Sequence, residues 1–131
     1  MPEILLVADV PWVVNNARVA FDDADYTLDV QDDPRLAAET WQERRHRVVI
    51  TDLQVGSMGG MAITRTLRDA AAVDGEMAPI TVILLDRDAD SFLAGRAGAD
   101  AWIRKPFPPL DLRAIVDALL GDPASVPNGD G

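Results

Sequence analysis

The stretch Val48-Val49-Ile50-Thr51-Asp52 decides the fold, because a run of β-branched residues ends abruptly in an aspartate. An unbroken run of this kind indicates a strand buried on both faces, as in the centre of a parallel sheet. A loop containing Gly59-Gly60 follows, and a helical pattern then runs from about Met61 to Ala72. The segment therefore predicts a strand, a loop and a helix, with Asp52 at the carboxyl end of the strand.

Further apolar runs on either side of this segment alternate with helical patterns. The predicted strands are Ile4–Ala8, Tyr26–Val30, Ile80–Leu85 and Trp102–Ile103, and the predicted helices cover residues 11–21, 33–44, 88–96 and 109–120. This alternation predicts a parallel sheet covered by helices on both faces. Five such units fit a flavodoxin-like, doubly wound α/β domain with five strands in the order 2-1-3-4-5 and five helices.

The 131 residues fit a single domain with one hydrophobic core. Gly121-Asp122-Pro123 predicts the end of the last helix. We therefore expect a folded domain over residues 1–121 and a disordered tail over residues 122–131. In the first helix, we expect Val14, Val19 and Phe21 to be available for the core.

Composition excludes several classes of function. The absence of cysteine excludes disulfides, thiolate metal sites and cysteine nucleophiles. The net charge of −10 disfavours direct contact with nucleic acid or an anionic membrane. The amino-terminal apolar run, Ile4 to Val7, is too short for a signal peptide or a membrane span. We expect a cytoplasmic protein.

Asp9 and Asp52 come at the ends of the first and third predicted strands. In a doubly wound sheet these two ends flank the crevice where ligands bind. Two carboxylates repel one another unless a cation offsets their charge, and magnesium prefers a few such oxygens together with water and a phosphate. With a carbonyl oxygen of the following loop, they predict an Mg²⁺ site. Lys105, after the fifth strand, is expected to face a phosphoryl group there, with Asp52 as nucleophile.

Three segments together resemble the receiver domain of response regulators, the CheY-like family. Residues 4–11 resemble its first strand and acidic cluster, residues 48–60 the segment around its phosphoacceptor aspartate, and residues 98–107 its fifth strand and lysine–proline turn. The likeness covers roughly Glu3 to Leu120. It implies that the protein is not an enzyme, apart from its own phosphorylation and dephosphorylation.

The resemblance also implies roles for individual residues. Asp52 would be the phosphoacceptor and Lys105 the phosphate-binding lysine, while Asp9, Asp52 and the Gln54 carbonyl would hold Mg²⁺. The Lys105–Pro106 bond would be cis, and Trp102 would be the switch aromatic. A histidine kinase or phosphotransfer protein would supply the phosphoryl group to a monomer or weak homodimer. A downstream protein would bind the face formed by the fourth helix, fifth strand and fifth helix.

The sequence departs from the family pattern at three places. Ala8 replaces an acidic residue, which should weaken Mg²⁺ binding. At the end of the fourth strand the family has Ser or Thr, but here Leu85, or alternatively Ile83 or Leu84, takes the switch position. The adjacent Asp86 would repel a phosphate. In the loop after Asp52, glycines at positions 56 and 59 replace the usual proline and aspartate.

Two main functions are compatible with this pattern. The first is a stand-alone receiver that accepts phosphate on Asp52 and switches atypically, since no effector domain is expected beyond the last helix. The second is a pseudo-receiver that binds proteins independently of phosphorylation. A flavodoxin-like electron carrier is disfavoured because Asp9-Val10-Pro11-Trp12 is not a phosphate loop. A dehalogenase-type phosphatase would require aspartate in place of Gln54.

The single histidine, His46, lies in the basic segment Arg44-Arg45-His46-Arg47 before the third strand. We expect His46 to be a solvated loop residue rather than a catalytic base or phosphodonor. We expect the basic segment to be a solvated helix end rather than a binding patch.

Overall fold

The computed structural model describes residues 2–22, 24–56 and 58–121, so the expected tail over residues 122–131 lies outside the described residues. Five parallel strands form the central sheet, and they are β1 (Glu3–Val7), β2 (Thr27–Gln31), β3 (Val48–Asp52), β4 (Ile80–Leu85) and β5 (Ala101–Arg104). Their order in the sheet is β2-β1-β3-β4-β5. The predicted flavodoxin-like fold and strand order are confirmed.

Helices follow the strands along the chain. They are α1 (Pro11–Ala20), α2 (Ala37–Arg44), α3 (Gly60–Val73), α4 (Ser91–Arg96) and α5 (Pro109–Gly121). Short 3₁₀ turns, Pro34–Leu36 and Asp88–Asp90, lead into α2 and α4. Within the described ranges, every helix is too short or too polar to cross a lipid bilayer.

The core lies on both faces of the sheet because successive strand residues point in opposite directions. Ile4 and Leu6 of β1 belong to the cluster that packs against α1 and α5. Leu5 and Val7 belong to the cluster that packs against α2 and α3. Each of these four side chains is fully buried, which stabilises the fold by about 1.5–3 kcal/mol per residue.

The buried face of α1 differs from the expectation. Val13, Ala17 and Ala20 are buried, whereas Val19 is 67% exposed. These three residues are four and three positions apart, so they lie on one side of a helix. The expectation for Val19 was wrong because that side chain projects from a different side, towards solvent.

His46 is 1% exposed, so the expectation of a solvated residue was wrong. Its Nε2 lies 2.7 Å from Oδ2 of Asp29 in β2, and the Trp41 indole donates a hydrogen bond of 3.1 Å to its carbonyl oxygen. Arg45 ends α2 with a left-handed backbone conformation, φ +53°. That turn changes the chain direction between two exposed arginines, Arg45 and Arg47, and His46 enters the interior.

Tyr26 connects the edge of β2 to α5. Its hydroxyl donates a hydrogen bond to the Asp117 carboxylate, and its ring packs edge-on against Phe21 with 5.2 Å between centroids. The Arg113 guanidinium lies 4.7 Å from the centre of the Tyr26 ring. Burial raises the pKa of Tyr26 to about 12, and the hydrogen bond to Asp117 acts in the same direction.

This environment predicts an alkaline limit to stability. The folded protein holds the Tyr26 proton more tightly than the unfolded chain, whose tyrosine pKa is 10.0. The resulting contribution to the free energy of unfolding is complete below pH 10 and is lost as the pH rises through about 12. Because Tyr26 is the only tyrosine, ultraviolet titration of tyrosinate should give a midpoint near 12 in the folded protein and near 10 in denaturant. A midpoint near 10 in both would contradict the prediction, and Tyr26→Phe should abolish the signal.

Candidate functional site

Three predicted site residues follow strands at the carboxyl edge of the sheet. Asp9 comes two residues after β1, Asp52 ends β3, and Lys105 directly follows β5. Strand β4 lies between β3 and β5 in the sheet. The lysine must therefore reach across the end of β4 to contact Asp52.

Lys105 makes this contact. Its ammonium group forms an ion pair with Oδ1 of Asp52, and the same Nζ lies 3.0 Å from Oδ1 of Asp86, just beyond β4. The Asp52 side chain is 1% exposed, whereas that of Asp86 is 55% exposed. Lys105 is the only lysine of the chain. One ammonium group therefore serves a buried and an exposed carboxylate together.

The two carboxylates keep Lys105 charged. Burial by itself lowers the pKa of the Lys105 amine, but the hydrogen bonds and negative charges of Asp52 and Asp86 outweigh it and raise the pKa. The contribution of this raised pKa to stability is present at neutral pH and is lost only above the ordinary range of lysine. The crevice thus holds a positive charge beside the Asp52 carboxylate.

The second oxygen of Asp52, Oδ2, is buried and has no hydrogen-bond partner within the described part of the chain. A buried carboxylate oxygen without a donor or a cation is energetically costly. This oxygen is therefore suited to binding a metal ion or attacking an electrophile.

Backbone contacts orient Lys105 towards the crevice. Its amide donates a hydrogen bond of 2.8 Å to the Leu85 carbonyl oxygen, which aligns it with the end of β4. The Lys105–Pro106 peptide bond is cis, as expected. Phe107 is buried in the α1–α5 cluster, and Asn16 donates a hydrogen bond of 3.2 Å to its carbonyl oxygen. The turn after Lys105 is therefore attached to α1.

Asp9 is exposed and contacts the loop that follows Asp52. Its Oδ2 accepts a hydrogen bond of 3.0 Å from the Gly56 amide. Gly56 has φ +55°, a conformation that favours glycine over other residues. Gln54 donates from its side chain to the Gly56 carbonyl oxygen at 3.0 Å, within a short antiparallel hairpin of Gln54–Val55 and Met58–Gly59. Glycine at position 56 therefore lets the loop close onto Asp9.

The end of β4 presents leucines where the family has a hydroxyl. The strand register pairs Asp52 with Leu84. Leu84 packs in the cluster containing Ile50, on the face to which Asp52 belongs by strand alternation. Leu85 packs on the other face, in the cluster that contains Ala94 and borders Trp102. Of the three alternatives left open by the sequence, the register therefore favours Leu84 as the residue beside Asp52, rather than Leu85.

Trp102 lies half-buried in β5 against α4. An added Cβ at Gly95 would lie 3.5 Å from the indole ring, an ordinary van der Waals distance, so α4 packs close to the tryptophan. The indole Nε1 is buried and lacks a hydrogen-bond partner among the described residues. Two neighbouring α4 side chains, Phe92 and Leu93, are exposed. This face therefore combines an aromatic ring with exposed apolar side chains.

Gly60 starts α3 directly beneath Asp52. A Cβ on Gly60 would overlap the carbonyl oxygen of Asp52, whereas a Cβ on Gly59 would lie 3.6 Å from its nearest neighbour, the Leu53 carbonyl oxygen. The sequence predicts a loop position for both glycines. Only the packing of α3 against β3 shows that position 60 has no room for a side chain whereas position 59 has.

Gly60→Ala should therefore destabilise the protein, because either Asp52 or the start of α3 must move. We expect the free energy of unfolding to fall by ~1–3 kcal/mol, as for an overpacked core. Urea denaturation measures this change, and Gly59→Ala is the matched control with a much smaller expected effect. Equal stability of the two variants would contradict the predicted clash.

The fold and the aspartate–lysine crevice together define a doubly wound α/β domain with an ion pair at the carboxyl edge of its sheet. The family model for the response regulator receiver domain matches residues 4–117, and the chain belongs to this family. It is thus a receiver domain of the kind found in two-component response regulators.

Individual proteins support the assignment. The uncharacterized transcriptional regulatory protein YclJ of Bacillus subtilis is 26% identical over 119 residues, which cover 90% of this chain and 50% of YclJ. The DNA-binding response regulator MtrA of Mycolicibacterium smegmatis is 30% identical over 118 residues, covering 89% and 50%. A LuxR-family two-component response regulator structure from Aurantimonas sp. SI85-9A1 matches with a TM-score of 0.76 and 27% identity, covering 90% and 84%. The chain spans about half the length of the curated relatives it matches.

Proposed function

We propose that this receiver domain accepts a phosphoryl group on Asp52, with Lys105 and Mg²⁺, and that it changes its protein contacts by an atypical switch. One observation carries the proposal. Asp52 is buried with one oxygen paired to Lys105, while its other oxygen has no partner among the described residues. The carboxylate is thus oriented by a cation and keeps one oxygen for reaction.

The reaction is a phosphoryl transfer from a phosphohistidine of a kinase or phosphotransfer protein. An Asp52 oxygen forms the new bond to phosphorus, the bond from phosphorus to the imidazole nitrogen breaks, and the imidazole leaves with the bonding electron pair. Charge accumulates on the oxygens of the transferred group. Lys105 would neutralise part of that charge with its ammonium group, which already faces the Asp52 carboxylate.

The residues present fit a magnesium ion. Oxygen ligands would come from Asp9, Asp52 and the Gln54 carbonyl, and the buried Oδ2 of Asp52, which has no partner among the described residues, leaves this carboxylate with negative charge that a cation would offset. Within the described ranges, no group of three or more acidic, histidine or cysteine side chains could hold a metal. A site with two carboxylates, one carbonyl and water is compatible with that finding. When bound, the ion would neutralise phosphoryl charge, and Ala8 makes binding weaker than with a further carboxylate.

The switch differs from the family pattern because Leu84 cannot donate a hydrogen bond to a phosphoryl group. Trp102 packs on the opposite face of the sheet, under α4. We therefore propose that phosphorylation alters the α4–β5–α5 face without the usual movement of the aromatic ring. Exposed side chains on this face, Phe92, Leu93 and Leu110, offer an apolar surface to a protein partner.

The alternative is a pseudo-receiver that binds proteins without phosphorylation. Leu84 and Ala8 favour it, because each replaces a group that would contact the phosphate or the metal. Stand-alone action, a cytoplasmic location, a monomeric or weakly dimeric state and a domain boundary at residue 121 all stay predictions.

Phosphorylation can be tested directly. Incubation with Mg²⁺ and a small phosphodonor should give one phosphoryl adduct by intact mass, because Asp52 has a reactive oxygen. Asp52→Asn, or removal of Mg²⁺ by a chelator, should abolish the adduct. Absence of any adduct in the wild-type protein, together with failure to bind beryllofluoride, would favour the pseudo-receiver.

The proposed switch predicts the behaviour of Leu84→Thr. Beryllofluoride with Mg²⁺ should leave Trp102 fluorescence nearly unchanged in the wild-type protein, whereas a hydroxyl at position 84 should restore a change. Leu84→Val is the matched control, since valine has the shape of threonine without the hydroxyl. Trp102→Phe shows which part of the fluorescence comes from Trp102 rather than from Trp12 or Trp41. A large Trp102 response in the wild-type protein would contradict the atypical switch.

A further inference from the structure

We propose that Asp86 is a built-in competitor for Lys105, which holds the ammonium group in the resting domain and lowers its affinity for a phosphoryl group. This inference rests on the proposed phosphorylation of Asp52. It makes Asp86 a positioning residue that acts through Lys105 and sets how readily the site is phosphorylated.

Asp86 forms a direct ion pair with Lys105. Oδ1 of Asp86 lies 3.0 Å from Nζ of Lys105, while the same Nζ is paired with Asp52. A lysine ammonium has three N–H donors. Asp52 accepts one of them and Asp86 forms an ion pair with the same ammonium group, so an incoming phosphoryl group must share the ammonium group with Asp86 or displace it.

The difference in solvent exposure determines which carboxylate can move away from Lys105. Asp52 is buried in the sheet, whereas the Asp86 side chain is 55% exposed beyond the end of β4 and can move into solvent. Neighbouring cations already form other ion pairs. Arg87 lies 3.1 Å from Asp90, and Arg104 lies 3.2 Å from Asp88. Lys105 is therefore the cation that Asp86 shares with the crevice.

Charge determines the direction of the effect. A phosphoryl group on Asp52 carries about two negative charges and needs the positive charge of Lys105. Asp86 both draws on that charge and repels the phosphate. Leu84 beside Asp52 supplies no hydrogen-bond donor that would offset the repulsion. Removing the Asp86 charge should thus favour the phosphorylated form.

The closing experiment compares Asp86→Asn with Asp86→Glu and with Asp88→Asn. The first removes the charge and keeps the shape, and the second keeps the charge. The third removes the same charge from a neighbouring side chain of similar exposure, 57%, that pairs with Arg104 instead of Lys105. Beryllofluoride affinity in the presence of Mg²⁺ and the rate of phosphorylation by a small phosphodonor are measured at low and high salt.

Asp86→Asn should bind beryllofluoride about 2- to 5-fold more tightly, the range expected for a partly exposed ion pair. The gain should shrink at high salt, because screening weakens exposed charges. Asp86→Glu and Asp88→Asn should stay near the wild-type value. Since Lys105 is the only lysine, its ¹⁵N-lysine ammonium signal should shift in Asp86→Asn and not in Asp88→Asn.

The possible failures are distinguishable. If neither the wild-type protein nor any variant binds beryllofluoride or takes up phosphate, the proposed phosphoacceptor function fails. The inference about Asp86 then fails with it. If all bind equally, or if Asp88→Asn has the same effect as Asp86→Asn, only the role of Asp86 is overturned.

Discussion

The ion pair between Asp52 and Lys105 is the interaction on which the rest of this site depends. A carboxylate buried to 1% exposure is costly in the interior unless a cation compensates it. The cation comes from β5, two strands away, and reaches Asp52 only because the sheet has the order β2-β1-β3-β4-β5. The ion pair therefore joins the ends of β3 and β5 across β4, and any ligand of Asp52 must be accommodated around it.

The surroundings of this ion pair bear directly on the proposed function. Lys105 and the Asp52 oxygen that has no partner among the described residues are the groups on which the proposed phosphorylation relies. At the end of β4, Leu84 lies beside Asp52 and offers no hydrogen-bond donor. Asp86, one residue beyond the strand, adds a negative charge that pairs with Lys105. Under the proposed function, neither of these two side chains would stabilise a phosphoryl group on Asp52.

Much of the site followed from local pattern. Parallel strands end at one edge of the sheet, so placing Asp9, Asp52 and Lys105 after predicted strands was enough to expect them near one crevice. Side-chain burial was less predictable. His46 lies among arginines, but the left-handed turn at Arg45 and the distant Asp29 carboxylate provide it with a buried position. Asp29 lies 17 positions before His46, so this partner is not visible from the neighbouring residues.

The sequence by itself determined the doubly wound fold, the family and the residue types at the crevice, because hydrophobic periodicity and strand-end motifs are local properties. Only the tertiary structure decided that Leu84 stands beside Asp52 while Leu85 faces α4, since a shift of one residue in strand register exchanges the two faces. It also decided that Lys105 is shared with Asp86. That contact joins residues 86 and 105, which are distant in the sequence. It exists only because β4 and β5 are neighbours in the sheet.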